Sequence, residues 1–207
     1  MLFDLENLVL NYLNGEVDSE SALERALTGL ETTKYRSQSV KTTKTSLLFT
    51  DIVNSSATYE DFGDEYGRAI LSIHDNIVHS TILKRGGTVI KGTGDGSLAT
   101  FESCGKSVKA ALLILKQIEA HNHNYPLLPI QLRIGINIGS IIQDETDIHG
   151  TSVNLAARLT ELADPGTILT TGIVHSRCKE KGYQFIDLGL KAFKGFRKKI
   201  PVYQIVG

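Results

Sequence analysis

Long apolar runs are missing from this chain: no stretch approaches the roughly twenty residues that a membrane-spanning helix needs, so no membrane association is expected. Bases are missing at the start, where Met1-Leu2-Phe3-Asp4-Leu5-Glu6 carries acids in place of the positive charge of a secretory signal, and a cytoplasmic location is the expectation. Charge of one sign is also lacking. Lys and Arg number 22 against 23 Asp and Glu, a net charge of −1, which leaves no electrostatic footprint for nucleic acid. An anionic ligand must therefore be met by local cations or metals. Cysteine is scarce: Cys104 and Cys178 show neither CxxC nor metal spacing, and two reduced thiols acting as small packing groups are expected. The six histidines are scattered, with His121 and His123 in a polar loop before Pro126, so nothing argues for zinc. Neither internal repeats nor low-complexity segments occur.

What remains is ordinary globular material, 207 residues of which 41% are hydrophobic. That is enough for one well-buried domain and a small appendage. Residues 1–43 read as two helices and a linker. Leu2, Leu5, Leu8, Val9, Tyr12 and Leu13 recur at helical spacing until Gly15, and Asp18-Ser19-Glu20-Ser21 offers caps for a second helix reaching Leu30. Residues 32–44, rich in Thr, Lys and Ser, read as a connector. Neither helix has enough apolar face to stand alone, so a dimerisation or regulatory role, packed on the rest of the chain or on a second copy, is the economical expectation.

Residues 44–207 form the second expected domain. Its pattern is a strand at 45–51, a helix at 64–84 with Ile70, Ile73, Ile77 and Ile82 broadly on one face, strands at 87–90 and 97–101 about a glycine-rich turn, a helix at 106–120 and a strand at 130–137. This order predicts a ferredoxin-like α+β core, an antiparallel sheet with helices on one face. A helix at 153–162, a strand at 167–170, a helix at 173–181 and strands at 185–188 and 202–205 follow, with Pro165-Gly166 as a helix stop.

Three segments carry chemistry. Asp51 closes the apolar run Leu47-Leu48-Phe49-Thr50, and Lys91 and Asp95 stand four apart in Lys91-Gly92-Thr93-Gly94-Asp95-Gly96. If both carboxylates reach the ends of neighbouring strands, they can hold two hard cations against one polyphosphate. In the third, Asp147, Asn154 and Arg158 follow at intervals of seven and four, so Asn154 and Arg158 share a helix face. Each has a bland alternative. Asp51 would suit a helix cap, Asp95-Gly96 a tight hairpin, and Asn154 with Arg158 an ordinary polar face. Lys91 and Asp147 taken singly are typical solvated residues.

Together these motifs resemble the class III nucleotidyl cyclases, from about residue 45 to 206. The resemblance implies an adenylate cyclase that converts ATP to 3′,5′-cyclic AMP and pyrophosphate, with two magnesium or manganese ions per site. Asp51 and Asp95 correspond to the bridging carboxylates, with the backbone carbonyl of Ile52 as a further ligand. Lys91 and Asp147 match the pair that reads adenine, where guanylate cyclases typically carry Glu and Cys. Asn154 corresponds to the ribose-orienting Asn, Arg158 to the transition-state Arg, and Arg133 to an arginine that contacts the phosphates in some members. One position departs: where the family often reads Lys-Gly-Lys, this chain reads Lys194-Gly195-Phe196, which leaves Arg197 or Lys198 to serve the terminal phosphates. The family architecture implies a homodimer with two composite active sites.

Two rivals are weighed. Gly105-Lys106-Ser107 resembles the end of a P-loop, but Thr100 stands where the first glycine belongs. A catalytically degenerate cyclase-like module, or a cyclase with relaxed ATP/GTP choice, is the other alternative. A purely structural domain has no need of Asp51, Asp95, Lys91, Asp147, Asn154 and Arg158 together.

Overall fold

The structure, a computed structural model, describes residues 42–143 and 147–206. The expected N-terminal helices and most of the linker lie outside the described residues. Thr42 and Thr43, assigned to the linker by composition, belong instead to the first strand.

The elements in chain order are β1 (Thr42–Ile52), α1 (Ser55–Lys84), β2 (Gly87–Gly92), β3 (Gly96–Phe101), α2 (Cys104–Asn124), β4 (Leu132–Gln143), β5 (Ile148–His149), α3 (Thr151–Leu162), β6 (Ile168–Thr171), α4 (Gly172–Cys178), a 3-10 turn (Lys179–Lys181), β7 (Gln184–Lys191) and β8 (Ile200–Val206). The sheet runs β2-β3-β1-β4-β6-β8-β7, with β5 paired to β4 outside that path. The first four strands are antiparallel and carry the ferredoxin-like order, as the α+β reading expects. Two details differ in the C-terminal extension. β4 and β6 pair in parallel, because α3 provides the crossover that parallel neighbours require. Helices also cover both faces. Leu48, Ala99, Phe101, Ile134 and Ile136 pack with residues of α1, α2 and α4, whereas Leu47, Leu98 and Ile141 pack with Val153 and Ala156 of α3.

Side-chain alternation along β1 decides the rest: Leu48, Thr50 and Ile52 face α1 and α2, so Leu47, Phe49 and Asp51 face the α3 side. The same alternation in β4 puts Arg133, Gly135 and Asn137 on the α3 side. There α3 lies close to the sheet. A Cβ on Gly135 would fall 2.5 Å from the Ala156 carbonyl oxygen, and one on Gly139 would fall 1.8 Å from Ser152 Oγ. The small Ala156-Ala157 step thus meets β4.

Helix α1 begins earlier than the apolar stripe predicts, because Gly63 (φ 83°, ψ 170°) interrupts it and leaves a first segment that is mostly exposed. Asn54, not Asp51, occupies its N-cap position, so the capping alternative for Asp51 fails. Helix α2 runs on through His121 and His123, which are helical and not in a loop; Asn122 ties that last turn to Ile130 through two 2.8 Å bonds. Gly105-Lys106-Ser107 is merely its first turn, with Lys106 paired to Glu102 at 2.7 Å. The two cysteines are free, buried thiols whose sulfurs lie 2.9 Å apart between α2 and α4. Burial, and secondarily each other's presence, pushes the Cys178 thiol up to about 12. Among the described residues no helix is long and apolar enough to cross a membrane.

Candidate active site

Asp51 sits at the end of β1 with Gly96 of β3 and Arg133 of β4 as its two register partners. Gly96 permits that register: a Cβ there would fall 1.9 Å from the Thr50 carbonyl oxygen. The close approach carries the preceding residue, Asp95, to the strand end, where its carbonyl accepts a 3.0 Å bond from the Ile52 amide. The Asp95 carboxylate accepts a hydrogen bond from the Ser55 hydroxyl. Burial raises the pKa of the Asp51 carboxyl above its ordinary value; the Arg133 hydrogen bond opposes this and the charge on Asp95 adds to it. The two carboxylates therefore sense each other's charge.

Arg133 forms an ion pair with Asp51, yet its buried Nε atom finds no hydrogen-bond partner among the described residues. The donor set at the strand ends is all oxygen: Asp51, Asp95 and the Ile52 carbonyl. That composition fits magnesium or manganese. No group of three or more His, Cys, Asp or Glu side chains converges among the described residues, so two carboxylates leave further ligand positions to backbone, water and substrate oxygens.

A β-bulge aims Lys91. Val89 is opposite Ala99 on the α1 side, but the register then shifts so that Lys91 is opposite Leu98. Without the extra residue Lys91 would share Val89's face; with it, Lys91 joins Leu98 on the α3 side. There its ammonium pairs with Asp147. The Lys91 hydrogen bond, followed by the Ile148 amide at 2.8 Å, holds the Asp147 carboxyl below the usual carboxylate value. A cavity of about 380 Å³ is lined by Phe49, Lys91, Leu98, Asp147, Val153 and Asn154, among others. It lies within the roughly 300–1,000 Å³ range of small-molecule sites.

The structure thus brings Lys91, Asp147 and Asn154 together. Arg158 stands one turn beyond Asn154 and pairs with Glu161 at 2.5 and 2.8 Å. Glu161 is the i, i+3 acid on the same helix. Asp95 and Ile52 line a different cavity, of about 240 Å³, with Ser55. Arg197 and Lys198 are exposed and line neither cavity. Phe196 turns into a third cavity beside Asn137, Ser152 and Thr171. Sequence reasoning missed Ser55 and Phe49; a side-chain hydrogen bond across 40 residues brings Ser55 to Asp95, and the strand register puts Phe49 on the Lys91 face.

The family model for the adenylate and guanylate cyclase catalytic domain matches residues 37–207. A putative adenylate cyclase 3 of Rhizobium meliloti (strain 1021) is 33% identical over 119 residues, 56% of this chain and 20% of that protein. An adenylate cyclase of Streptomyces coelicolor is 29% identical over 121 residues, 58% of this chain and 30% of that one. The chain thus spans a minor part of the length of these relatives. Among solved structures, an adenylate/guanylate cyclase/hydrolase from Silicibacter pomeroyi superposes with a TM-score of 0.71 at 32% identity, covering 81% of this chain and 98% of that one. The adenylyl cyclase CyaB from P. aeruginosa gives 0.73 at 26% identity, over 81% and 96%. With the matched region extending from ahead of β1 to the last residue, the chain belongs to the class III adenylate and guanylate cyclase catalytic domain family.

Proposed function

We propose that this chain is an adenylate cyclase, forming 3′,5′-cyclic AMP and pyrophosphate from ATP. The observation that carries the substrate choice is the Lys91–Asp147 pair on the wall of the cavity that also holds Asn154. An ammonium meets the ring-nitrogen acceptor of adenine, and a carboxylate meets its exocyclic amino donor. Guanine presents a carbonyl and a ring NH at those places, and each mismatched polar group costs about 1–3 kcal/mol.

Asn154 orients the ribose from the same wall, and Arg158 exchanges its exposed Glu161 partner for the α-phosphate. Such a surface pair contributes about 0–1 kcal/mol and is easily given up, whereas charge stabilisation in the closed site supports the transition state. The 3′ hydroxyl gives up its proton to solvent as its oxygen attacks the α-phosphorus, the bond to the bridging oxygen breaks, and pyrophosphate leaves without a covalent enzyme intermediate. Magnesium or manganese held by Asp51, Asp95 and the Ile52 carbonyl would supply Lewis-acid polarisation and countercharge. Arg133, on turning from Asp51, binds the phosphates, with Arg197 or Lys198 as the further cation that Phe196 does not provide.

The site is composite in this reading. Within one chain the carboxylate end and the base-reading wall belong to separate cavities. A two-fold homodimer joins Asp51 and Asp95 of one copy to Lys91, Asp147, Asn154 and Arg158 of the other, twice. The test is a product assay with ATP and GTP in parallel, each with magnesium and with manganese. Cyclic AMP in marked excess is expected; comparable cyclic GMP would indicate relaxed choice, and no product from either would indicate a degenerate module.

A further inference from the structure

Directly behind the carboxylates, on the opposite face of the sheet, lies a buried polar network that the proposed mechanism does not use. Thr50 and Ser97 are cross-strand partners one position along from Asp51 and Gly96, and both side chains point toward α1. The Ser97 amide donates to Thr50 Oγ1 at 3.0 Å. Thr50 Oγ1 lies 3.0 Å from His74 Nε2, and His74 Nδ1 lies 2.9 Å from Asp75 Oδ1. A second histidine of the same helix, His79, reaches Ser97 Oγ at 2.8 Å. Thr50, His74 and Ser97 are all buried.

Hydrogen-bond capacity orients the chain. Asp75 can only accept, so His74 Nδ1 carries a proton; Nε2 of the neutral ring then accepts the Thr50 hydroxyl proton, leaving the Thr50 oxygen to accept from Ser97. Each member is satisfied only while β1, β3 and α1 keep this spacing. On β1 the proposed metal carboxylate Asp51 follows Thr50 by one residue, and ahead of β3 the other, Asp95, precedes Ser97 by two. An apolar stripe would serve packing equally well, since Ile70 and Val78 flank His74 on the same buried face. Placing a histidine between them costs desolvation that only its bonds offset.

We propose that His74, held by Asp75 and acting through Thr50, is a positioning residue that fixes the β1 and β3 strand ends so that Asp51 and Asp95 can share the same cations. This inference rests on the two-carboxylate reading above. Its test is manganese binding to the full chain, followed by electron paramagnetic resonance, alongside thermal melts. Thr50→Val and His74→Leu preserve shape and remove the link; each is expected to weaken manganese binding about tenfold, as loss of one buried hydrogen bond would. Thr50→Ser and His74→Gln, which can still bond, should stay within about threefold of wild type. Thr170→Val is the control, because it removes a buried 2.9 Å bond to the Ile136 carbonyl away from the strand ends; it should lower the melting temperature and leave manganese affinity intact.

If Thr50→Val and His74→Leu bind manganese as Thr170→Val does, the positioning role is overturned while the carboxylate reading stands. Asp51→Asn and Asp95→Asn in the same titration separate the two ideas. Wild-type manganese binding by both would overturn the carboxylate reading and the positioning role with it.

Discussion

Asp51 and Arg133 are register partners on adjacent strands, joined by an ion pair. Both side chains are about one-quarter exposed, at 24% and 29%, so neither is fully hydrated and neither is sealed off. The pair sets a guanidinium against a carboxylate that burial and the charge on Asp95 disfavour; under the proposed function, cations would take over the acid and free the arginine for a phosphate. One contact thus connects the sheet register to the chemistry proposed for the strand ends.

Cation binding at Asp51 and Asp95 should stabilise the fold. At a metal concentration of 100 times Kd the gain is about 2.7 kcal/mol, or roughly 5–10 °C in melting temperature for a domain of this size. Asp95→Asn should abolish that metal-dependent shift and melt near wild type without metal, since it also removes a repulsion felt by Asp51. Because protons compete for a carboxyl whose pKa is raised, the metal shift in wild type should shrink on acidification from above the ordinary carboxylate range. A full shift in Asp95→Asn would contradict the assignment.

Exchanging Lys91→Glu and Asp147→Cys together should depress ATP turnover and raise the relative use of GTP, by about tenfold or more in the ratio of kcat/KM values. Stability should change by no more than about 1 kcal/mol, because Lys91 is exposed and Asp147 is partly open to solvent. An unaltered ratio would show that these residues do not read the base.

The buried His74 predicts a pH dependence of stability. Burial lowers its pKa, while the hydrogen bond it donates to Asp75 and the charge on Asp75 oppose this; His79 and Asp95 face it as the smaller influences, the first lowering and the second raising it. The unfolded chain then binds a proton that the folded chain refuses, so stability is full above about pH 6.5 and falls as the pH drops from there toward the lowered folded value. His74→Gln should flatten this part of the curve. Parallel pH profiles for wild type and His74→Gln would contradict it.

Legibility varied with the kind of interaction. The strand-helix order and the buried stripes of α1 and α2 were readable because they are local and periodic, and the ferredoxin-like core followed from them. The break at Gly63 hid the first turns of α1, since those residues bury little. The helix between β4 and β6 was readable, but neither the parallel pairing it permits nor the sheet face it covers was read from it. Motif spacing marked Lys91 and Asp147, yet the bulge that aims Lys91 has no sequence signal beyond a glycine-rich surround. Asp51–Arg133, Ser55–Asp95 and the Thr50–His74 link depend on register across 82, 40 and 24 residues, which no local pattern encodes.

The composite homodimeric cyclase is tested most directly by mixing two inactive variants. Asp51→Ala lacks a carboxylate and Arg158→Ala lacks the transition-state cation, so each homodimer alone should be nearly inactive. In a mixed dimer one site carries both lesions and the other carries neither. After subunit exchange at equal amounts, half the dimers are mixed, and cyclic AMP formation should recover to roughly a quarter of wild type. Failure to recover after verified exchange, or full activity from a monomer, would contradict the account.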